Sequence, residues 1–335
     1  QEAASNSPPT LIDRAPIAWQ QREGETIAVT AAYTLGSNSE VAFALGAYDP
    51  ALPLFIDPSI TYSTYLGGTL SDELVSLTID AQDRVVVLGH TTSANFPVRS
   101  AIDGTLSSPG CGSYYFCRDL FVSMFSPDGQ QLLFSTFLGG DNDDTASDLA
   151  LGSDGRIYLA GSTGSSDFPL VTPIQSERGH FYDAFVVRLA ADGSRIEYST
   201  YLGGSEEDLA FSIAVNSDNE AVVTGQTRSA NFPRRDALQP VNAGYEDVFV
   251  TKFNASGSAL RFSTFLGAEN KEYGTAVAFD GRGDIYLTGR TQSLTFPTVE
   301  PLQPFCHKHT PTHCWDAFVT KLRGVSVQGV RKLPN

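Results

Sequence analysis

The stretch YSTYLGG at residues 62–68 decides the fold, because the chain repeats it three more times. It returns as FSTFLGG at 134–140, YSTYLGG at 198–204 and FSTFLGA at 262–268. The first copy stands ahead of the first complete repeat, whereas the last repeat ends without a copy of its own. The series of repeats therefore starts with one extra strand and ends with one strand missing. This pattern predicts that the first strand can complete the last repeat.

Each copy is followed by the same succession of short segments. An acidic turn, an alternating apolar run, a polar turn and a second apolar run ending in glycine come first. The motif x-Thr-x-Ser-x-x-Phe-Pro follows, and after a loop a third run begins with aspartate, as in DLFVSMF at 119–125. Alternation with a period of two, with Gly, Asp and Asn turns, is typical of antiparallel β-strands. Each repeat therefore predicts four strands.

A four-stranded module repeated at fixed spacing predicts an all-β fold, a β-propeller with four four-stranded blades. Residues 60–67 would supply the fourth strand of the last blade and close the ring, which removes exposed strand edges. An eight-bladed ring made by two chains and an arc completed by another protein are the alternatives. The predicted divisions are a small N-terminal β extension with a hairpin (1–59), the closing strand (60–67), blades at about 68–138, 139–202, 203–266 and 267–323, the whole propeller spanning 60–323, and a tail (324–335).

Composition indicates a globular protein with an anionic surface. Apolar residues make up 41% and charged residues 18% of the 335, and the formal net charge is −16. Nucleic-acid binding needs a basic face, so this charge argues against a nucleic-acid partner. No run approaches the roughly 20 apolar residues that span a bilayer, so we expect no transmembrane segment.

The four cysteines occur as two close pairs, Cys111/Cys117 and Cys306/Cys314, each just before an equivalent third strand. Matching positions predict two local disulfides. Such bonds persist in oxidising compartments, so we expect a secreted, periplasmic or cell-surface protein. A cytosolic protein is the alternative.

The repeat pattern, with its YSTYLGG, x-Thr-x-Ser-x-x-Phe-Pro and DAFV motifs, resembles the SBBP β-propeller repeats of bacterial exported and surface proteins, over roughly residues 60–322. The segments APIAWQ and VAFALGAYDPALPLFIDP resemble the end of the domain that often precedes such repeats. The resemblance implies a secreted or envelope-associated propeller used for interaction or scaffolding. That family carries no established catalytic residues. This chain departs from it in the two cysteine loops, at Ala268 and in the turn ENKEYG.

One column of the repeat is acidic in every copy, at Asp72, Asp144, Asp208 and Glu272. The cluster Asp141, Asp143 and Asp144 could supply oxygen ligands for Ca²⁺. The interpretation that we favour is structural, because an aspartate in a turn accepts backbone N–H bonds.

The Thr-x-Ser-x-x-Phe-Pro motif is interpreted as a packing device, since four copies of a catalytic group would be unusual. We expect its phenylalanines to fill the spaces between blades and its hydroxyls to bond the local backbone. The aspartate that opens each third strand is interpreted in the same structural way. These residues are Phe96, Phe168, Phe232 and Phe296, and Asp119, Asp183, Asp247 and Asp316.

The irregular stretch CHKHTPTHC at 306–314 holds three of the five histidines. His307, His309 and His313, with reduced thiols, could bind Zn²⁺ or Cu²⁺. The matching loop between Cys111 and Cys117 has no histidine, which favours a disulfide in both loops.

We predict a non-catalytic, exported interaction or scaffold module that binds protein partners in a cell-envelope or extracellular assembly. The disulfide-stapled loops 104–118 and 303–315 would lie side by side after ring closure and contact the partner. Alternatives are a Zn/Cu-binding accessory protein using the loop 306–314, and a polysaccharide-acting enzyme. No nucleophile elbow, phosphate loop or H-E-x-x-H motif is present, so no catalytic residue is assigned. The partner-contact candidates are Tyr114, Tyr115, Phe116, His307, His309, His313 and Trp315.

Overall fold

The computed structural model describes residues 16–35, 41–57, 62–107, 118–307 and 314–323. The chain divides into two compact units, Gln1–Ser63 and Thr64–Asn335. The described residues contain strands and turns and no helix, so the protein is all-β.

The described part of the N-terminal unit contains five short strands: β1 (Ile17–Arg22), β2 (Glu25–Val29), β3 (Ala31–Leu35), β4 (Val41–Leu45) and β5 (Leu54–Asp57). Strands β2, β1 and β5 form one antiparallel sheet in that order, and β3 and β4 form a separate antiparallel pair. Trp19 and Phe55 are opposite each other on β1 and β5, and their rings stack 5.8 Å apart. Cross-strand aromatic pairs of this kind stabilise small sheets.

The described part of the second unit contains fifteen strands, which follow the sequence repeats. They are β6 (Asp72–Ile79), β7 (Val85–Thr91), β8 (Asp119–Phe125), β9 (Leu132–Leu138), β10 (Asp144–Leu151), β11 (Ile157–Thr163), β12 (Asp183–Leu189), β13 (Ile196–Leu202), β14 (Asp208–Val215), β15 (Ala221–Thr227), β16 (Asp247–Phe253), β17 (Leu260–Leu266), β18 (Glu272–Phe279), β19 (Ile285–Thr291) and β20 (Asp316–Leu322).

Each repeat folds into one antiparallel sheet whose strands pair in chain order. The first three sheets have four strands each, namely β6 to β9, β10 to β13 and β14 to β17. The last has three strands among the described residues, β18 to β20. The fourth strand of each four-stranded sheet leads directly into the first strand of the next sheet. The LGG motif therefore marks the junction between consecutive sheets.

The turn between the first and second strands of each repeat places one residue in the left-handed backbone region. Glycine, asparagine and aspartate adopt this region at the least cost. The four turns therefore share one geometry, although their sequences are DAQDR, GSDGR, NSDNE and DGRGD. The residues with positive φ are Asp83 (58°), Gly155 (77°), Asn219 (60°) and Gly283 (80°).

The sheets pack face to face, and the apolar side chains between them form the core. Between the first and second sheets, Leu88 and Val122 join Leu149 and Phe168 in one buried cluster. Phe168 also stacks on Phe185 of its own sheet, with ring centroids 4.7 Å apart. The phenylalanine of each Phe-Pro motif stacks in the same way, in the pairs Phe96–Phe121 (4.2 Å), Phe232–Phe249 (4.6 Å) and Phe296–Phe318 (4.5 Å).

The predicted closing strand, residues 60–67, is described from residue 62 onward. Residues 62–67 lie outside any strand, and β20 is an edge strand of the last sheet in the part of the chain that is described. Among the described strands, the extensive packing between sheets joins neighbours in chain order. The described sheets thus form an open series, and closure of the ring by residues 60–67 stays a prediction.

Candidate functional site

The acidic residue that follows each LGG motif is the centre of a hydrogen-bonded corner. Asp144 accepts a bond from the Gly140 amide and another from the Ser165 hydroxyl, both at 2.8 Å. An aspartate that accepts a backbone N–H in this way fixes the conformation of a turn. The same two bonds recur at Asp72 with Gly68 and Ser93, and at Asp208 with Gly204 and Ser229.

The hydroxyls of the Thr-x-Ser motif have two different roles. The Thr163 hydroxyl accepts a bond from the Ser165 amide at 2.9 Å, which is the local backbone contact that the sequence predicts. The Ser165 hydroxyl instead donates to Asp144, a residue of another strand. In the last repeat, the Thr291 hydroxyl donates to Glu272 at 2.7 Å. The prediction of purely local bonds was therefore incomplete, because the motif and the acidic column form one unit.

A second aspartate reaches the same corner from the preceding sheet. A Cβ atom added to Gly139 would lie 2.6 Å from Cγ of Asp119 and 2.9 Å from Oδ2 of Asp144. No side chain fits there, which explains the first glycine of the LGG motif. We call these three sites the carboxyl corners: Asp119 with Asp144 at Gly139, Asp183 with Asp208 at Gly203, and Asp247 with Glu272 at Gly267.

Burial raises the pKa of most carboxyls in the corners. It raises the pKa of Asp144 to about 7, and the negative charge of Asp119 adds to the effect. It likewise raises the pKa of Asp208 to about 7, with Asp183 adding to it. The buried carboxyls Asp119, Asp183 and Asp247 each have a pKa raised to about 6. The corners therefore take up protons near neutral pH, inside the packed junctions between sheets.

The acidic turn of the second repeat does not gather its carboxylates around one point. Asp141 accepts the Ser166 amide at 3.0 Å, Asp143 forms an ion pair with Arg118 at 2.9 Å, and Asp144 belongs to the corner described above. Within the described ranges, no group of three His, Cys, Asp or Glu side chains could hold a metal ion. The Ca²⁺ interpretation gains no support from this arrangement.

The loop before β20 is held at both ends. Cys306 and Cys314 form the predicted disulfide, with Cα atoms 6.0 Å apart. Cys314 is buried, and its amide donates to the Gln292 carbonyl at 3.1 Å. The His307 amide donates to the Asp316 carboxylate at 2.9 Å. The disulfide and these two bonds fix the ends of the loop to the last sheet.

Three exposed side chains flank the disulfide, and we call Phe305, His307 and Trp315 the loop surface. Phe305 is 78% exposed, His307 is exposed, and Trp315 is about half exposed. The Arg290 guanidinium lies 5.4 Å from the Trp315 ring and 4.4 Å from the Tyr273 ring. These cation–π contacts orient Trp315. Phe305 and Trp315 are aromatic, and aromatic residues are enriched in protein-binding surfaces.

Glu246 is buried and is not among the residues predicted from the sequence. Its carboxylate accepts bonds from Arg228 (2.8 Å), Lys271 (3.0 Å) and the Tyr273 hydroxyl (3.0 Å). Burial raises the pKa of Glu246, but these hydrogen bonds outweigh it and hold the pKa below its usual value. A signal was present in the sequence, since Glu246 is the only acidic residue that directly precedes a third-strand aspartate in the four repeats.

Several predicted site residues fall outside the described ranges: Cys111, Cys117, Tyr114, Tyr115, Phe116, His309 and His313. Of the predicted histidine ligands, His307 is described, and its Nδ1 lies 3.5 Å from the Asp316 carboxylate. The first and last sheets are not among the pairs that pack extensively. Residues 108–117 and 308–313 lie outside the described ranges, so the contact between loops 104–118 and 303–315 stays a prediction.

Comparison with known sequences adds two similarities. A family model described as a domain of unknown function (DUF7948) matches residues 4–59. The chain is 27% identical over 216 residues to the regulatory protein FlaEY of Caulobacter vibrioides, a match that covers 62% of this chain and 21% of that protein. The match thus spans about a fifth of the length of this relative.

Three solved structures show a distant likeness. A protein of unknown function from Dyadobacter fermentans is 13% identical, with 67% of this chain and 64% of that chain covered and a TM-score of 0.38. The gluconolactonase XC5397 from Xanthomonas campestris is 12% identical, with 82% and 76% covered and a TM-score of 0.35. An ulvan lyase of polysaccharide lyase family PL25 is 10% identical, with 93% and 68% covered and a TM-score of 0.41. Likeness at this level carries no argument about function. Across the described segments, no helix is long and apolar enough to cross a bilayer.

Proposed function

We propose that the protein is an exported, non-catalytic β-propeller module of the SBBP repeat type, which binds a protein partner in a cell-envelope or extracellular assembly. The repeated antiparallel sheets packed face to face support the propeller assignment. The Cys306–Cys314 disulfide supports export, because such bonds persist in oxidising compartments.

The observation that carries this proposal is the loop surface. Phe305 and Trp315 expose aromatic area on a loop whose ends are fixed by a disulfide and by hydrogen bonds to the sheet. Side chains at the fixed ends of a loop lose little conformational entropy on binding, which favours their use in recognition. Aromatic side chains in such positions commonly contribute most of the binding energy of an interface.

The titratable groups favour a structural role over catalysis. The aspartates with strongly raised pKa values lie in the carboxyl corners, which are buried and recur at each junction between sheets. A shifted pKa is a sign of catalysis when the group lies in a cleft, whereas these aspartates are fully buried at the junctions between sheets. They account for the packing of the sheets instead.

Site-specific photo-crosslinking tests the partner surface. A photoreactive amino acid replaces Phe305 in the producing organism, and Val241, the exposed residue at the same position of the third repeat, is the matched control. We expect a discrete adduct with another protein at position 305 and none at position 241. No adduct at either position, or equal adducts at both, would contradict the proposal.

A substitution in the same surface separates binding from folding. Trp315→Ala should reduce the adduct formed at position 305 by about tenfold or more, as expected for a hot-spot residue. Tyr245→Ala removes an exposed aromatic side chain from the third repeat and should leave the adduct unchanged. An adduct that persists at full yield in Trp315→Ala would remove the loop surface from the binding site.

A further inference from the structure

The open series of sheets ends in two faces that are buried everywhere else in the series. Leu77 on the first strand of the first sheet is 65% exposed, whereas Leu149 at the same position of the second sheet is 6% exposed. Val319 on β20 is 80% exposed, whereas its counterpart Val186 on β12 is fully buried. Each face therefore has the composition of a sheet-to-sheet interface, and no sheet of the described residues packs extensively on it.

The segment before β6, residues 62–67, shows the same contrast in exposure with its counterparts in the other repeats. Tyr65 is fully exposed, whereas its counterparts Phe137, Tyr201 and Phe265 are buried on the fourth strands of the three complete sheets. In the second sheet, Tyr201 is opposite Phe185 and Thr200 is opposite Val186. The same register on β20 would place Tyr65 opposite Phe318 and Thr64 opposite Val319. Residues 62–67 therefore have the sequence of the strand that the last sheet lacks among its described residues.

For two further contacts of the complete sheets, the equivalent partners lie at opposite ends of the series. In the three complete sheets, the loop after the Phe-Pro motif bridges to the serine of the fourth strand, in the pairs Arg99–Ser135, Val171–Ser199 and Arg235–Ser263. Val299 occupies this loop position in the last repeat and is 78% exposed, while the equivalent serine, Ser63, lies in the segment before β6. Likewise, Gly67 borders Asp72 as Gly139 borders Asp144, so Asp72 and Asp316 would form a fourth carboxyl corner if the two ends met.

We propose that a second copy of this chain supplies what each end lacks. Residues 62–67 of one copy add to β20 of the other as its fourth strand, and the exposed face of β6 then covers the exposed face of β20. The contact is the one that already joins consecutive sheets within the chain, so no new kind of interface is needed. Because both ends of each copy are used, two copies close on themselves without a free end.

The number of copies follows from the number of sheets. Propellers typically contain about four to eight sheets, so two copies of this chain, with eight sheets, reach the upper end of this range and a third copy would exceed it. Within one copy, the segment and β20 belong to opposite ends of the series and are not paired. This association uses other residues than the loop surface, so it goes beyond the proposed function and can fail without affecting it.

An engineered disulfide tests both the pairing and its register. The double variant Thr64→Cys with Val319→Cys is oxidised and analysed by non-reducing gel electrophoresis and peptide mapping. We expect a 64–319 cross-link in a product of twice the mass of one chain. A 64–319 link within a single chain, a ladder of larger products, or no link would each overturn the proposal.

The control for register is Thr64→Cys with Thr320→Cys. Neighbouring residues of a strand point to opposite faces, so this pair should form at most about a tenth of the product. Oxidising the wild-type protein in the same way measures how much cross-linked product the native cysteines form by themselves. Equal yields from the 319 and 320 pairs would show that the strand does not add in the proposed register.

A substitution at an exposed residue tests the association without affecting the fold of the single chain. Wild-type protein should sediment at twice the mass of one chain, and Tyr65→Asp at the mass of one chain, with its circular dichroism spectrum unchanged. We expect the dissociation constant to rise by about a hundredfold or more, because the charge would be buried at the new junction. Tyr245→Asp, at an exposed tyrosine of the third repeat, should leave the mass doubled. A wild-type protein that sediments at the mass of one chain would overturn the proposal, as would a Tyr65→Asp variant of undiminished mass.

Discussion

Asp119 and Asp144 both border Gly139, so two acidic side chains from consecutive sheets share one buried corner. The pair recurs at Gly203 and Gly267. Packing one sheet on the next therefore brings two carboxyls together at each junction that the structure describes. The energetic consequence depends on whether these carboxyls hold protons.

The stability of the fold should decrease as the pH rises from about 5 to 7. An aspartate in the unfolded chain has a pKa of 3.8, whereas burial raises the pKa of Asp144 and Asp208 to about 7. Between these values the folded state binds more protons than the unfolded state, so its stabilisation is complete below the lower value and is lost as pH rises through the upper one. We expect the free energy of unfolding to fall by about 2 kcal/mol for each of the two carboxyls over this range. Urea denaturation at several pH values measures it, and a rising free energy would contradict the expectation.

Replacing both carboxyls by amides should remove about half of the pH dependence that the corners produce, because Asp119, Asp183 and Asp247 still titrate. Asp144→Asn with Asp208→Asn keeps an oxygen for the bonds from Gly140 and Gly204 and cannot ionise. The variant should be more stable than wild type at pH 8 and should have a flatter profile between pH 5 and 7. Asp218→Asn, in an exposed turn, is the control and should keep the wild-type slope. An unchanged slope in the double variant would assign the pH dependence to other groups.

Gly139→Ala should destabilise the first junction. The added methyl group would lie 2.6 Å from Cγ of Asp119, which is too close for two carbon atoms, so the corner must open. Overpacking of this kind costs about 1–3 kcal/mol. Gly104→Ala is the matched control because nothing lies within 4 Å of its added methyl group. Thermal and urea unfolding compare the two, and equal stabilities would show that the corner is less rigid than described.

Phe232→Ala should be among the most costly single substitutions in the chain. The ring is buried between the second and third sheets and stacks on Phe249 at 4.6 Å. Removing a buried phenylalanine costs about 3–5 kcal/mol through lost burial and the cavity left behind. Val241→Ala, at an exposed position of the same repeat, should stay within about 0.5 kcal/mol of wild type. A loss below about 1 kcal/mol at Phe232 would mean that the sheets do not pack as described.

Removing the disulfide should lower stability without unfolding the protein. Cys306→Ala with Cys314→Ala releases a short loop, which costs about 2–3 kcal/mol in the loop-entropy description. The sheets themselves do not depend on this bond, so the circular dichroism spectrum should be retained. With reductant present, wild type and variant should become equally stable, because the remaining cysteines are identical. A difference that persists under reduction would mean that the sulfur atoms stabilise the loop by packing.

The strands and turns could be predicted because four copies of each can be compared. The alternation in IYLAG indicates β11, and the sequence GSDGR indicates the turn before it. Gly155 of that turn has the positive φ that the turn requires. The cysteine spacing indicated the Cys306–Cys314 bond in the same direct way. Each of these features depends on residues close in sequence.

The features that escaped prediction depend on where distant segments meet. The Ser165 hydroxyl has its local backbone within reach and nevertheless donates to Asp144, because the packed corner offers a stronger acceptor. Closure of the ring likewise depends on where distant segments meet. Counting strands shows that the two ends match, but the angle between consecutive sheets decides whether they meet, and no local pattern specifies that angle.

The uniform junction between sheets has an evolutionary consequence. The glycines Gly161, Gly225 and Gly289 are spaced 64 residues apart (225 − 161 and 289 − 225). One of the later repeats could therefore replace another without changing the order of strands in the fold. Unequal recombination that inserts or deletes one such unit would rejoin surfaces already compatible with each other. Lineages can therefore differ in the number of sheets while the terminal surfaces keep the same chemistry.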